Sequence, residues 1–177
     1  TNDQLEAARP YLALVNGKRD LYHGAPMYTN FCMSQAKARS IVADAGATVY
    51  TVGTVKRIPG YKSYVSVDGG MTDNPRYALY HADYEVVCAN KATEERSEVV
   101  TVAGKCCESG DLIQENTKIQ TVEAGDILAV LSTGAYNYSM ASNYNRIPKL
   151  PVIFVNNGDA RIVVKRETYE MVAACDI

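Results

Sequence analysis

The residues best suited to chemistry lie in Gly104-Lys105-Cys106-Cys107-Glu108-Ser109-Gly110-Asp111. Two thiols stand beside a carboxylate, and glycines flank the group. Adjacent cysteines form a relaxed disulfide with difficulty, so both are expected to be free. A free thiol next to a carboxylate, in a loop, suits proton transfer or recognition of a charged ligand. The alternative is a small apolar cysteine in a packed loop. Two further groups carry donors. In Asp73-Asn74-Pro75-Arg76-Tyr77-Ala78-Leu79-Tyr80, Asn74-Pro75 marks a turn from which Arg76 should emerge. A planar guanidinium grips a carboxylate through two parallel hydrogen bonds, and Tyr80 shares its side if the segment is helical. A surface Arg with a core Tyr is the plainer possibility. Ser132 to Asn145 gathers Tyr136, Tyr138 and Tyr144 with hydroxyls and amides, a surface able to bind a phosphate or an amino-acid head group, or an ordinary polar loop. In Asp68-Gly69-Gly70-Met71 the paired glycines allow positive φ or close backbone approach, and a plain tight turn is the expected role.

These groups need a scaffold. The 177 residues suffice for one ordinary domain with a real core. A net charge of −2 argues against a nucleic-acid binder. No apolar run reaches the length of a membrane span, and no signal-peptide pattern opens the chain. Five cysteines without a C-x-x-C pair argue for a reducing, cytoplasmic setting and against a metal site. His23 and His81, the only histidines, lack metal-ligand spacing. Phosphate-loop, dinucleotide and nucleophile-elbow motifs are absent from the sequence. Thirteen tyrosines against two phenylalanines and no tryptophan favour a polar pocket or an interface.

Hydrophobic periodicity predicts mostly strands beyond Arg39. Residues 47–57 read as a long strand with a bulge at Gly53; residues 61–67, 82–89, 98–103 and 127–131 read as further strands. Asn156-Asn157-Gly158-Asp159 between two apolar runs is the clearest hairpin signal. Short helices are expected at 40–45 and 167–174, and Lys91 to Arg96 as a solvated loop. Short strands, frequent turns and no βαβ rhythm predict a mainly β fold, an antiparallel Greek-key-like barrel or sandwich with short helices.

The blocks taken together resemble the C-terminal portion of the diaminopimelate decarboxylases, pyridoxal-phosphate enzymes of lysine biosynthesis. The resemblance runs in order from Arg39-Ser40-Ile41-Val42-Ala43 through Val67 to Tyr80, Ala103 to Asp111, Thr133-Gly134-Ala135-Tyr136 and Met140 to Asn145, to Arg166-Glu167-Thr168. It implies a β-domain, residues 39–177, that completes an active site on a cofactor-bearing (β/α)8 barrel, in a homodimer whose sites are shared between subunits. It implies that Cys107 is the proton donor and that Glu108 meets the distal amino-acid end of the substrate. By the same resemblance Arg39, Arg76 and Tyr80 are substrate ligands, and Tyr136 serves both substrate and pyridoxal phosphate. The implied reaction is decarboxylation of meso-2,6-diaminopimelate to L-lysine.

The match is incomplete. Ala36-Lys37-Ala38 stands where the family has a Glu-Pro-Gly, and residues 1–38 remain unassigned. A chain of this length has no room for a barrel, which takes about 250 residues. The Schiff-base lysine lies in that barrel, and Lys37 reads as a solvent-exposed charge. Three expectations follow: half of a decarboxylase active site, inactive by itself; a non-catalytic dimerisation or interaction module; or a related ornithine- or arginine-type decarboxylase. The Cys107-Glu108 pair with Asn74-Pro75-Arg76 favours diaminopimelate.

Overall fold

The structure is a computed structural model that describes residues 46–134 and 136–177. Its centre is a six-stranded sheet of β1 (Ala47–Ile58), β2 (Lys62–Val67), β3 (Val86–Cys88), β4 (Glu98–Ala103), β5 (Leu112–Ile119) and β6 (Ile127–Leu131). The strands run in the order β3-β6-β1-β2-β4-β5. Every pairing is antiparallel except β2 with β4, which is parallel: between them the chain passes through the first site loop, a short helix and β3 at the far edge of the sheet. The expected mainly β fold is therefore present.

Alternation drives the sheet. Tyr50 and Val52 of β1, Val65 and Val67 of β2, and Leu128 and Val130 of β6 point inward and are buried, as period-two patterning requires. The bulge expected at Gly53 is real. Val52 faces Val67 and Val55 faces Val65, so two β1 residues oppose Ser66 alone, whose Oγ accepts the Thr54 N–H at 2.9 Å.

The terminal strands β3 and β5 meet, so the sheet nearly closes into a barrel. Two buried glutamines stitch the seam. Gln114 Oε1 accepts the Tyr84 N–H at 2.8 Å, and Gln120 Oε1 accepts the Cys88 N–H at 3.0 Å. This explains why the strand expected over 82–89 shrinks to Val86–Cys88: at Tyr84 a side chain replaces the ladder partner. The sequence reading missed β5 altogether. Its central Gln-Glu-Asn-Thr-Lys run is polar, and Asn116 adopts a positive φ of 52° that breaks the alternation.

The hairpin of β7 (Val152–Asn156) and β8 (Asp159–Val164) forms at the expected turn, with Asn157 and Gly158 at φ 49° and 87° as a two-residue primed turn demands. Three short α-helices, α1 (Arg76–Tyr80), α2 (Asn137–Met140) and α3 (Tyr169–Val172), and two single 3-10 turns at Ala89–Lys91 and Tyr144–Arg146 complete the described residues. Thr168 caps α3 by accepting the Met171 N–H, which cuts the helix expected over 167–174 to a single turn. Lys91, expected in a solvated loop, instead donates to buried Asp126 at 2.6 Å. The helix expected at 40–45 lies outside the described residues. Among those residues no helix is long and apolar enough to cross a membrane.

Candidate functional site

Three loops meet at one end of the sheet. The first, residues 68–75, connects β2 to α1. The second, residues 104–111, connects β4 to β5. The third, residues 136–146, contains α2. Each is hydrogen-bonded to the other two. Lys105 donates its N–H to the Gly69 carbonyl at 2.9 Å, Ser142 donates to the Thr72 carbonyl at 3.0 Å, and the Cys107 N–H donates to Asn145 Oδ1 at 2.8 Å.

The paired glycines of the first loop serve close approach rather than positive φ. The Tyr50 ring occupies the space of a side chain at Gly69, and a Cβ on Gly70 would lie 2.5 Å from a carboxylate oxygen of Asp111. Asp73 closes this loop by accepting the Gly70 N–H at 3.0 Å, and burial pushes its carboxyl above the usual range despite that bond. Burial, with Asp73, Asp111 and Asp68 nearby, pushes the Tyr50 phenol well up.

α1 begins directly after Pro75, so Arg76 stands at the edge of the junction. Its Cζ lies 5.1 Å from the centroid of the Tyr136 ring, a cation–π arrangement. Tyr136 is about half exposed and has a φ of 72°, a conformation that costs a non-glycine residue energy and that concentrates at functional sites. Burial raises the neighbouring Tyr84 phenol. Arg76 and Asn137, which accepts from the Tyr84 hydroxyl at 3.2 Å, pull it back. Tyr80 ends the same helix with its side chain largely exposed, one turn from Arg76.

The second loop separates its two thiols, both free. Cys106 is half-buried. Burial and then the Asp111 carboxylate push its thiol up to about 11, so it stays protonated throughout the neutral range. Cys107 is exposed, and so is Glu108, whose Oε1 accepts the Gly110 N–H at 3.1 Å. The structure thus places Arg76 against Tyr136, and ties the loop of Cys107 and Glu108 through Asn145 to the loop that carries Tyr136, with Tyr80 on the helix of Arg76. Arg39 and Lys37 lie outside the described residues. Sequence reading gave no role to Asn145, which accepts the Cys107 N–H, or to Asp111. Among the described residues no His, Cys, Asp and Glu group is arranged to hold a metal ion.

The three loops thus carry an exposed thiol and carboxylate on one side and a guanidinium beside a half-exposed phenol on the other. Known proteins carry the same arrangement of sequence. The family model "Pyridoxal-dependent decarboxylase, C-terminal sheet domain" matches residues 19–134. The chain is similar to the diaminopimelate decarboxylase of Bacillus subtilis, 56% identical over 139 residues, which are 78% of this chain and 32% of that protein. It is 53% identical over 139 residues to the diaminopimelate decarboxylase of Halalkalibacterium halodurans, again 78% of this chain and 32% of the relative. A crystal structure of diaminopimelate decarboxylase from M. jannaschii in co-complex with L-lysine superposes with a TM-score of 0.71 at 35% identity, covering 78% of this chain and 31% of that one. The chain spans about a third of the length of the curated relatives it matches. With the sheet and the sequence in agreement, the chain belongs to the family of C-terminal sheet domains of pyridoxal-dependent decarboxylases.

Proposed function

We propose that this chain supplies the sheet-domain half of a diaminopimelate decarboxylase active site, for conversion of meso-2,6-diaminopimelate into L-lysine and carbon dioxide. The carrying observation is the junction at which the exposed Cys107-Glu108 pair is tied to the loops of Arg76 and Tyr136. The identity to two diaminopimelate decarboxylases supports it, and so does the L-lysine held by the M. jannaschii relative. On this reading residues 39–177 form the sheet domain, and a homodimer completes each site with a barrel-borne lysine.

The donor set fits pyridoxal phosphate: a half-exposed phenol stacked on a guanidinium suits an anionic ester. Tyr136 would hold the group, which when bound would supply the sink for the electron pair left on the α-carbon as carbon dioxide departs. The protein's own residues do the rest. Arg76, with Arg39 and Tyr80, grips substrate carboxylate and fixes its orientation. Glu108 offers its carboxylate to the distal ammonium. Cys107 gives its thiol proton to the α-carbon: the S–H bond breaks as the C–H bond forms, and solvent returns a proton to the thiolate.

Assay of the enzyme that carries this chain tests the reading. Lysine and carbon dioxide should appear from meso-2,6-diaminopimelate, and Cys107→Ala should cut kcat roughly a hundredfold or more with little change in KM. Comparable turnover of ornithine or arginine would overturn the substrate, and full activity of Cys107→Ala would overturn the acid.

A further inference from the structure

Asp111 is almost completely buried between the first and second loops. Its Oδ1 accepts the Met71 N–H at 2.6 Å and its Oδ2 accepts the Cys106 N–H at 2.7 Å. Its backbone closes the second loop as well: its carbonyl accepts the Gly104 N–H at 2.8 Å, and its own N–H donates to the Glu108 carbonyl at 3.1 Å. The carboxylate fills the space that side chains at Gly70 and Gly104 would need, so both loops are shaped around it. Two N–H groups converge on two acceptor oxygens. An amide in the same place would turn an NH2 donor toward one of them, which leaves a buried donor facing a donor.

The geometry points to Asp111 as a positioning residue for the protonation step: its carboxylate fixes the Cys106-Cys107-Glu108 loop against the segment that leads into Arg76, and so fixes where the Cys107 thiol stands relative to bound substrate. This rests on the reading of Cys107 as the acid. It also separates the two thiols. Cys106 donates its N–H to Asp111 and is the structural thiol, and Cys107, one residue on, is turned out to solvent.

Asp111→Asn in the full enzyme tests this, with Gly104→Ala as a second variant that keeps the carboxylate but takes its space. Both should lower kcat on the order of a hundredfold, the effect of misplacing a reacting group by about 1 Å, with KM within about threefold of the parent. Peptide mapping after iodoacetamide treatment supplies a readout independent of turnover. Alkylation of Cys106 at pH 8 should accelerate about tenfold in Asp111→Asn, because the loop loosens and the neighbouring negative charge is gone. Parent-like kcat in both variants overturns the proposal, as does a raised KM at constant kcat, or an unchanged Cys106 alkylation rate. Loss of the strand circular-dichroism signal in both variants overturns it too, since Asp111 would then be a requirement of the fold. Should Cys107→Ala keep full turnover, the acid reading fails by itself, and the alkylation rate still reports whether Asp111 holds the loop.

Discussion

The guanidinium of Arg76 lies 5.1 Å from the centre of the Tyr136 ring, although the one residue opens α1 and the other lies in the third loop, sixty residues on. Stacking of this kind is worth about 0.5–1 kcal/mol at an exposed site. Its larger effect is orientational: the cation is held over the Tyr136 ring and beside the Tyr84 phenol, which limits the directions its N–H donors can take.

Arg76→Lys should therefore be a severe change despite keeping the charge. A lysine loses the planar cation over the Tyr136 ring and the paired donors. In the enzyme, KM for diaminopimelate is expected to rise on the order of tenfold, with kcat altered less. Steady-state kinetics check this; a KM equal to that of the parent would remove Arg76 from substrate binding.

The 177-residue chain by itself is expected to release no carbon dioxide from diaminopimelate. Incubation with pyridoxal phosphate and borohydride, then peptide mapping, should yield no pyridoxyl group on Lys37. A trapped adduct there would show that this chain supplies its own amine.

Leu128 is fully buried in the core. Leu128→Ala should cost about 2–5 kcal/mol through lost transfer energy and the cavity left behind. Urea unfolding measures it directly. A loss below about 1 kcal/mol would mean that neighbouring strands collapse into the gap.

Gln120→Leu removes the acceptor of the Cys88 N–H while keeping the volume apolar. A buried unpaired donor costs roughly 1–3 kcal/mol. Hydrogen exchange should quicken at Cys88 first. Exchange unchanged at Cys88 would show that the glutamine does not protect that amide.

Acid should weaken the fold partly through Asp126. Burial raises its pKa, but the side chains of Lys91 and Asn90 and the Glu123 N–H outweigh that and hold it below the ordinary aspartate value. A depressed folded-state pKa means that the stabilisation is complete above the unfolded value of about 3.9 and is lost as pH falls through the folded value. Asp126→Asn should flatten the stability–pH curve in that acid window. An identical acid limb in the variant would assign the loss to other carboxylates, such as Glu98 and Glu115, which are also held low by their Arg57 and Lys62 partners.

Much of this architecture could be read from residue patterns. The bulge at Gly53, the Asn157-Gly158 hairpin and the strands 98–103 and 127–131 rest on local signals: a glycine in a Val-Thr run, a turn dipeptide, short apolar alternation. β5 was not legible, because the residues that make it a closing strand are polar. Gln114 and Gln120 are buried to bind Tyr84 and Cys88, in and just before β3, far away in sequence. At the site, Arg76, Cys107, Glu108 and Tyr136 stood out by chemistry. Asp111 did not, because its role depends on Met71 and Cys106 amides that only the folded chain brings to it.

The glutamine seam has a further consequence for how this sheet behaves among its own kind. An open sheet ends in two rims of unpaired amides and carbonyls, which template the addition of strands from other molecules. Here the two rims face each other, and the Tyr84 and Cys88 amides already have acceptors. A strand arriving from another chain finds those donors occupied. The two glutamines thus leave those two edge amides with nothing to offer a further strand.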